Sequence, residues 1–180
     1  PPRIVKSRYN LLTGAYVDRL DDHEAREVKT VTHLDPGEAP AVAALCEAAG
    51  HVPIAQPYVR SEAEYMVAAL YDHGEPLATF QHRQIRGNSY VGGGGVFRRS
   101  VYLPRLETVS RRLLDHLDWH GLACIEYMRD AETGEFVLTE INPRLWQSLP
   151  ATVRTGADFP HYYWLQATDR ADDIAADYER

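Results

Sequence analysis

Two stretches of this sequence each combine a pair of strand-like segments with a short polar turn, and they constrain the fold more than any other feature. The first runs from Tyr65 to Ile85 and turns at Asp72-His73-Gly74, and the second runs from Gly121 to Asn142 and turns between Arg129 and Glu135. Apolar and β-branched segments on either side of such turns are typical of β-hairpins. The chain is therefore predicted to contain sheets that are largely antiparallel.

Helical patterns lie between these strands. Apolar residues recur at helical spacing through 103–117, and 39–49 is predicted to be a helix closed by Gly50. Shorter helices are predicted at 145–155 and 160–167, further strands at 3–6, 27–34 and 51–59, a polar loop at 7–14 and a charged tail at 169–180. Strands and helices mixed in this way predict an α+β fold, with helices flanking the sheets.

The composition limits the class of protein. The chain has 180 residues, enough for one domain or two small lobes, and 44% of them are hydrophobic, which suffices for a packed core. The net charge of −7 argues against a general nucleic-acid binder, because phosphate binding needs a basic surface. Cys46 and Cys124 form no spacing motif, and no apolar run reaches the length of a membrane span. We therefore expect a cytoplasmic protein without disulfides or membrane-spanning segments.

Two carboxylates and a carboxamide in the second hairpin form a candidate metal site. Glu140 and Asn142 are two residues apart, so their side chains share one face of a strand, and Glu126 lies on the preceding strand. A hairpin that places Glu126 opposite Glu140 brings like charges together, which a cation between them would relieve. Hard oxygen ligands of this kind suit Mg²⁺. The alternative is an exposed face with solvated acids, but apolar neighbours such as Ile125 and Ile141 favour a half-buried sheet.

Two basic residues beside strands are candidate phosphate ligands. Arg144 follows the metal motif and could bind a phosphoryl group or a carboxylate through its guanidinium. An ion pair with Glu140 or Asp158 is the alternative for this arginine. Lys6 ends an apolar strand and could hold phosphate as a point charge, although a lysine there is ordinarily a solvated strand end. Because Lys6 is one of only two lysines in an arginine-rich chain, the phosphate role gains weight.

The segment Gln56-Pro57-Tyr58-Val59 is a candidate adenine-binding strand. An extended segment with a free N–H and C=O can pair with the edge of adenine. A carboxylate a few residues further on, at Glu62 or Glu64, can accept hydrogen bonds from ribose hydroxyls. The pattern is weak by itself, because many strands end in this way.

Arg83 and Arg86 lie at the end of a strand, ahead of the glycine run Gly92–Gly95. These arginines could face an anionic substrate, or they could simply charge a solvated strand edge. The glycine run lacks the strand–turn–helix frame of a dinucleotide fingerprint. We therefore predict a mobile lid or substrate loop there, with a plain flexible loop as the alternative.

The order and spacing of these residues resemble the ATP-grasp superfamily. The resemblance is to the carboxylate–amine ligases related to the large subunit of carbamoyl-phosphate synthase, in the C-terminal part of their ATP-grasp domain, and it covers nearly the whole chain. Its most specific part is Glu126 together with Glu140-Ile141-Asn142-Pro143-Arg144.

The resemblance implies two α+β lobes around a nucleotide cleft. Residues 1–60 would be the remainder of the small lobe, 61–168 the large lobe with the metal site, and 169–180 a tail. In the small lobe Lys6 would contact the ATP phosphates, and the segment of Gln56, Pro57, Tyr58 and Val59 would bind adenine through its backbone. In the large lobe Glu64 would bind the ribose.

The same resemblance assigns the metal and the transferred phosphoryl group. Two carboxylates and one amide would hold one or two Mg²⁺ (or Mn²⁺) ions that bridge the phosphates: Glu126, Glu140 and Asn142. Three guanidiniums would steady the phosphoryl group or an acyl phosphate: Arg144, Arg83 and Arg86.

In enzymes of this kind the γ-phosphate of ATP passes to a substrate carboxylate, and an amine then displaces phosphate to form an amide. The resemblance thus implies an ATP-dependent ligase with small-molecule carboxylate and amine substrates and no nucleic-acid or membrane partner, and it leaves a homodimer open. Such enzymes usually begin with a Rossmann-like N-terminal domain. The start at Pro1-Pro2 without a methionine leads us to expect a fragment that lacks this domain. Two alternatives remain, a nucleotide-binding module without catalysis and a small-molecule kinase of the same fold.

Overall fold

The computed structural model describes residues 2–9, 11–13, 25–27, 31–37, 43–44, 46–47, 50–87 and 95–176. The chain divides into two compact units, Pro1–Val59 and Arg60–Arg180. The assignment of 1–60 and 61–168 to the two lobes of an ATP-grasp domain stays a prediction.

The first unit is built on short antiparallel strands. They are β1 Arg3–Lys6, β2 Leu11–Thr13, β3 Ala25–Glu27, β4 Val31–Leu34 and β5 Ile54–Pro57. Strands β4, β1 and β5 form one sheet in that order, and β2 pairs with β3. The apolar core of the three-stranded sheet is small: Val5 and Leu34 are buried, whereas Val31 and Ile54 are exposed.

The second unit is a five-stranded antiparallel sheet with helices on both faces. Its strands are β6 Ser61–Asp72, β7 Glu75–Gly87, β8 Gly95–Val101, β9 Gly121–Asp130 and β10 Phe136–Asn142, in the order β10-β9-β6-β7-β8. Its helices are α1 Pro104–His116, α2 Leu149–Arg154 and α3 Phe159–Ala167, followed by a 3₁₀ turn at Ala171–Asp173. Among the described residues no helix is long and apolar enough to cross a membrane.

Strand β6 lies at the centre of this sheet and is buried on both faces. Every residue from Tyr65 to Tyr71 is buried, which is why this stretch of the sequence is a nearly continuous apolar run. One face, here called the α1 face, packs Val67 against Leu106 and Leu114 of α1. The other, here called the α3 face, packs Met66 against the layer that contains Phe159 of α3. The alternation of side chains along β6 and β9 therefore decides which residues share a face.

The predicted α+β class and the antiparallel sheets are confirmed. Both hairpins form where the turn sequences predicted them, and His73 and Gly74 take positive φ angles of 43° and 81° in the first turn. The helix predicted over 103–117 is α1, which begins at Pro104 because proline is tolerated in the first turn of a helix.

Several boundaries differ from the sequence-based expectation. A short strand, Leu11–Thr13, lies inside the segment predicted to be a loop. The strand predicted over 51–59 is confined to Ile54–Pro57, and the helix predicted over 145–155 begins only at Leu149, next to Pro150.

Other predicted segments are only partly described. Of the helix predicted over 39–49, residues 43–44 and 46–47 are helical and the others lie outside the described residues. Of the strand predicted over 27–34, residues 31–34 form β4, residue 27 ends β3, and 28–30 lie outside the described residues. The glycine run falls mostly outside them as well, and its last residue, Gly95, begins β8.

Candidate metal and phosphate site

The hairpin of β9 and β10 brings Glu126 and Glu140 directly opposite each other. The register shifts between Leu138 and Glu140, so that Thr139 is an extra residue in β10. Its hydroxyl donates to the backbone oxygen of Glu126 over 2.9 Å. Without this bulge the regular register would pair Glu140 with Ile125, whose side chain packs on the α1 face. The bulge therefore places Glu140 on the same face as Glu126.

The three predicted metal ligands share the α3 face of the sheet. Asn142 pairs with Cys124, which belongs to the apolar layer on this face, and Glu126 follows Cys124 by two residues. Asn142 Nδ2 donates to Glu140 Oε1 over 2.8 Å, which shows that these two side chains lie side by side as their spacing predicts. Glu140 is exposed, whereas Glu126 and Asn142 are half-buried.

The electrostatic surroundings of Glu126 are unfavourable for a charged carboxylate. Burial raises the pKa of Glu126, and the neighbouring carboxylates of Glu140 and, to a smaller extent, Glu64 raise this pKa further. The guanidiniums of Arg98 and Arg144 act in the opposite direction. Three carboxylates and two guanidiniums thus influence one another at this site, in an arrangement that an added divalent cation would stabilise.

Arg144 lies next to the metal motif. Its backbone N–H donates to Asn142 O over 2.9 Å, and its guanidinium donates to Asn142 Oδ1 over 3.4 Å and to Leu145 O over 3.1 Å. The side chain is exposed. Ion pairs with Glu140 or Asp158, the alternative role considered for this arginine, do not occur among the described residues.

Arg98 is a further cation at this site that the sequence did not single out. It lies on β8 opposite Gln84, and its Nη1 reaches to 3.5 Å from the sulfur of Met66, the β6 residue that pairs with Glu126. Its Nε is buried and has no hydrogen-bond partner among the described residues. A buried guanidinium nitrogen without an acceptor is costly, which suggests that an anion completes this site. The only sequence signal is the Arg98-Arg99 pair, in which strand alternation must place one arginine on each face.

Glu64 lies on the same sheet face, one strand away from Glu126. It pairs with Met128 of β9, and its carboxylate accepts a hydrogen bond of 2.5 Å from Gln84 Nε2. Glu62, the other carboxylate considered for ribose, instead forms an ion pair of 2.9 Å with Arg129. The ribose role of Glu64 stays a prediction.

The two arginines predicted at the end of β7 have different neighbours. Arg83 pairs with Tyr65, a residue of the α1 face, so its side chain is directed away from Glu126. Arg86 lines a surface pocket at the end of β6 and β7, together with Glu64 and Gln84. The register of β7 against β8 shifts between Gln84 and Arg86, and Arg86 pairs with Phe97, the neighbour of Arg98 in β8. Neither arginine is therefore placed on the face of Glu126 by the register, and the catalytic role of both stays a prediction.

In the first unit, Lys6 and Gln56 share one face of the three-stranded sheet. Gln56 pairs with Ile4, and Lys6 follows Ile4 by two residues. In the predicted adenine segment, Pro57 has no N–H, and the N–H of Tyr58 donates to Pro2 O over 3.1 Å. Tyr58 and Val59 follow the end of β5 at Pro57. The nucleotide roles of these residues stay predictions.

Comparison with known proteins gives a short match in sequence and a long one in structure. No family model matches the chain. A segment of 50 residues, 28% of this chain, is 38% identical to acetyl-CoA carboxylase 2 of Arabidopsis thaliana, and it spans 2% of that protein's length.

The structural matches extend over most of the chain. Pyruvate carboxylase from Rhizobium etli superposes with a TM-score of 0.58 and 19% identity, over 87% of this chain and 14% of that one. D-alanine–D-alanine ligase from Bacillus anthracis, solved in complex with ATP, superposes with a TM-score of 0.56 and 10% identity, over 97% of this chain and 55% of that one. The chain thus spans well under two thirds of each of these proteins, and at such identities the likeness establishes the fold.

Proposed function

We propose that this chain, which has the fold of the ATP-grasp superfamily, is part of an ATP- and Mg²⁺-dependent ligase that joins a small-molecule carboxylate to an amine through an acyl phosphate. The observation that supports this most directly is the pairing of Glu126 with Glu140 on a half-buried sheet face. The guanidiniums of Arg98 and Arg144 oppose the resulting rise in the pKa of Glu126. Paired carboxylates beside cations suit a metal ion and a phosphorylated ligand.

The donor set fits Mg²⁺ or Mn²⁺. Glu126 and Glu140 offer carboxylate oxygens and Asn142 offers a carboxamide oxygen, which are the hard ligands that these ions prefer. Repulsion between the two carboxylates is the reason that a cation would bind here favourably. When bound, the ion would neutralise part of the negative charge on the ATP phosphates.

The protein's own contribution to the reaction would be positioning and electrostatic stabilisation. Arg144 and Arg98 present guanidinium donors on the face that carries the carboxylates, and such donors stabilise charge that develops on a transferred phosphoryl group. The unpartnered Nε of Arg98 supports an anion at this position. In the first unit Lys6 would bind phosphate and the segment 56–59 would bind adenine, as the resemblance implies.

Two other reactive groups on this face are uncharged at neutral pH. Burial, with a smaller contribution from Arg98, lowers the pKa of His82 to about 4. Burial, followed by the charge of Glu126, raises the pKa of Cys124 to about 12. His82 is therefore neutral and Cys124 is a thiol at pH 7, so neither adds charge to the proposed site.

The proposal is tested by measuring the melting temperature of the full-length protein with and without millimolar Mg-ATP. A ligand of the native state stabilises it by RT ln(1 + [L]/Kd), so binding a hundredfold above Kd adds about 2.7 kcal/mol. We expect Glu140→Gln combined with Asn142→Ala to abolish this stabilisation and the metal-dependent release of phosphate. Glu132→Gln, in the exposed turn of the same hairpin, is the matched control and should change neither. If the wild type shows no stabilisation, or if the double variant keeps it, the proposed site is wrong.

Product analysis tests the ligase reaction separately from nucleotide binding. With ATP, Mg²⁺, carboxylate and amine present, a ligase yields ADP, phosphate and an amide. A stable phosphate ester would instead indicate a kinase, and nucleotide binding without turnover would indicate a regulatory module.

A further inference from the structure

A second cluster of metal-binding side chains lies at the other end of strands β6 and β9. One ligand atom each of Asp72, His73 and His120 falls within 4.8 Å of the others, and all three residues are exposed. Asp72 Oδ1 lies 3.0 Å from His120 Nδ1. The imidazoles of His73 and His120 are stacked, with ring centroids 4.5 Å apart and planes inclined by 25°.

The backbone holds these three residues together before any metal binds. Asp72 ends β6, and His73 occupies the tight turn into β7 with a φ of 43°. The N–H of the next residue, Gly74, donates to Trp119 O over 2.9 Å. This hydrogen bond fixes the turn to the segment that carries His120, so only side-chain rotation is needed to bring the ligand atoms closer.

The distances suit a transition-metal ion of the zinc class. Ligands about 2.0–2.1 Å from a tetrahedral Zn²⁺ are about 3.3 Å from one another, which is close to the separation already present between Asp72 and His120. Exposed side chains can rotate to close the remaining gap from 4.8 Å. Three protein ligands would leave one tetrahedral position for water. The carboxylate of Asp118, which lies 3.5 Å from the place a Cβ on Gly74 would occupy, adds negative charge beside the cluster.

This cluster differs from the carboxylate site in both place and chemistry. Glu126 lies five positions after Gly121 along an extended strand, which is roughly 17 Å. Imidazole nitrogens favour Zn²⁺, Ni²⁺ and Cu²⁺, whereas Mg²⁺ prefers oxygen ligands. An ion held here would therefore not compete with the Mg²⁺ proposed at Glu126.

We propose that Asp72, His73 and His120 form a binding site for one divalent transition-metal ion of the zinc class. The ion would tie the β6–β7 turn to the start of β9. The site goes beyond the ligase function and does not depend on it.

The test is a calorimetric titration of the whole chain with Zn²⁺ in the presence of excess Mg²⁺. We expect one ion per chain with a Kd in the micromolar range or below. His120→Ala and His73→Asn should each weaken binding at least tenfold. The matched control is His116→Ala, which removes an exposed histidine from the last turn of α1 and should leave the affinity unchanged.

Asparagine is chosen at position 73 because it tolerates a positive φ better than alanine does. Because the affected side chains are exposed, the metal-free melting temperatures of the variants should equal that of the wild type. Cobalt substitution gives a second readout, since the visible spectrum of bound Co²⁺ should be lost in the two cluster variants only. Failure of the wild type to bind Zn²⁺, or equal binding by the wild type and both cluster variants, would overturn the proposal.

Discussion

Glu126 lowers the stability of the metal-free fold, although it is one of the proposed metal ligands. Its carboxylate is half-buried beside Glu140, and burial and like charge both raise its pKa. A carboxyl whose pKa is raised by folding contributes stability below its unfolded-state pKa and loses that contribution as the pH rises through the folded-state value. The metal-free protein is therefore destabilised by Glu126 at neutral pH, whereas a bound cation would reverse this effect.

A first prediction follows for Glu126→Gln. In the absence of divalent cations, the variant should be at least as stable as the wild type at pH 8, and its advantage should shrink as the pH falls towards 4.5. Urea unfolding at several pH values in the presence of a chelator measures this. Glu132→Gln should show no such advantage, and a variant less stable than the wild type at every pH would contradict the electrostatic account.

The element that positions the carboxylates is the β9–β10 hairpin with its bulge at Thr139. A shift of one residue in a strand register moves every following side chain to the other face. Here the bulge moves Glu140 and Asn142 to the face of Glu126, and the hydroxyl of Thr139 stabilises it by donating to Glu126 O. The predicted pairing of the two glutamates thus depends on one irregular residue.

A second prediction concerns this hydroxyl. Thr139→Val keeps the β-branched shape but removes the donor, so we expect a loss of about 1 kcal/mol in the free energy of unfolding and weaker stabilisation by Mg-ATP. Thr139→Ser keeps the donor and should retain most of the Mg-ATP effect. Equal Mg-ATP stabilisation in the two variants would show that this hydrogen bond does not position the metal ligands.

Across the second unit, His82 links the sheet to the segment that follows the metal motif. It is buried on β7, and its Nε2 lies 2.9 Å from the hydroxyl of Thr152 in α2. The same hydroxyl accepts a hydrogen bond of 3.2 Å from the indole of Trp146, two residues after Arg144. These two hydrogen bonds join β7 and α2 to the segment that follows Arg144.

A third prediction is a dependence of global stability on pH through His82. Folding lowers the pKa of His82 to about 4 from an ordinary value of 6.5. As the pH falls, His82 is therefore protonated in the unfolded chain at a higher pH than in the folded chain. Stability should therefore fall as the pH decreases through 6.5 towards 4, by about 2 kcal/mol between pH 7 and pH 5. Urea unfolding at both pH values measures this. Between pH 7 and pH 5, the free energy of unfolding of His82→Gln should decrease by about 2 kcal/mol less than that of the wild type. His116→Gln, which alters an exposed histidine, should show the same decrease as the wild type.

Arg83 and Arg98 lie on opposite faces of the sheet. Both belong to strands with charged ends, and alternation says only that neighbours face opposite sides. Pairing with Tyr65 directs Arg83 to the α1 face, whereas Arg98 reaches Met66 on the α3 face. The register of β8 against β7 contains two irregularities, and no local pattern in the sequence predicts them.

What the sequence determined by itself was local: the hairpin turns, the buried run of β6, helix α1 and the shared face of Glu140 and Asn142. Each follows from turn residues or from a period of 2 or 3.6, which depend on neighbours in the chain. The motif around Glu126 and Glu140 also led to the expectation of an ATP-grasp fold, and the predicted α+β fold with antiparallel sheets is confirmed.

Only the tertiary structure decided what depends on strand register. It placed Glu126 opposite Glu140 through the bulge at Thr139, brought Arg98 to the same face, and gathered Asp72, His73 and His120 at the far end of the sheet. Register is set by the summed packing of many residues distant in sequence. For that physical reason, the position of each charge could be established only after the strands were paired.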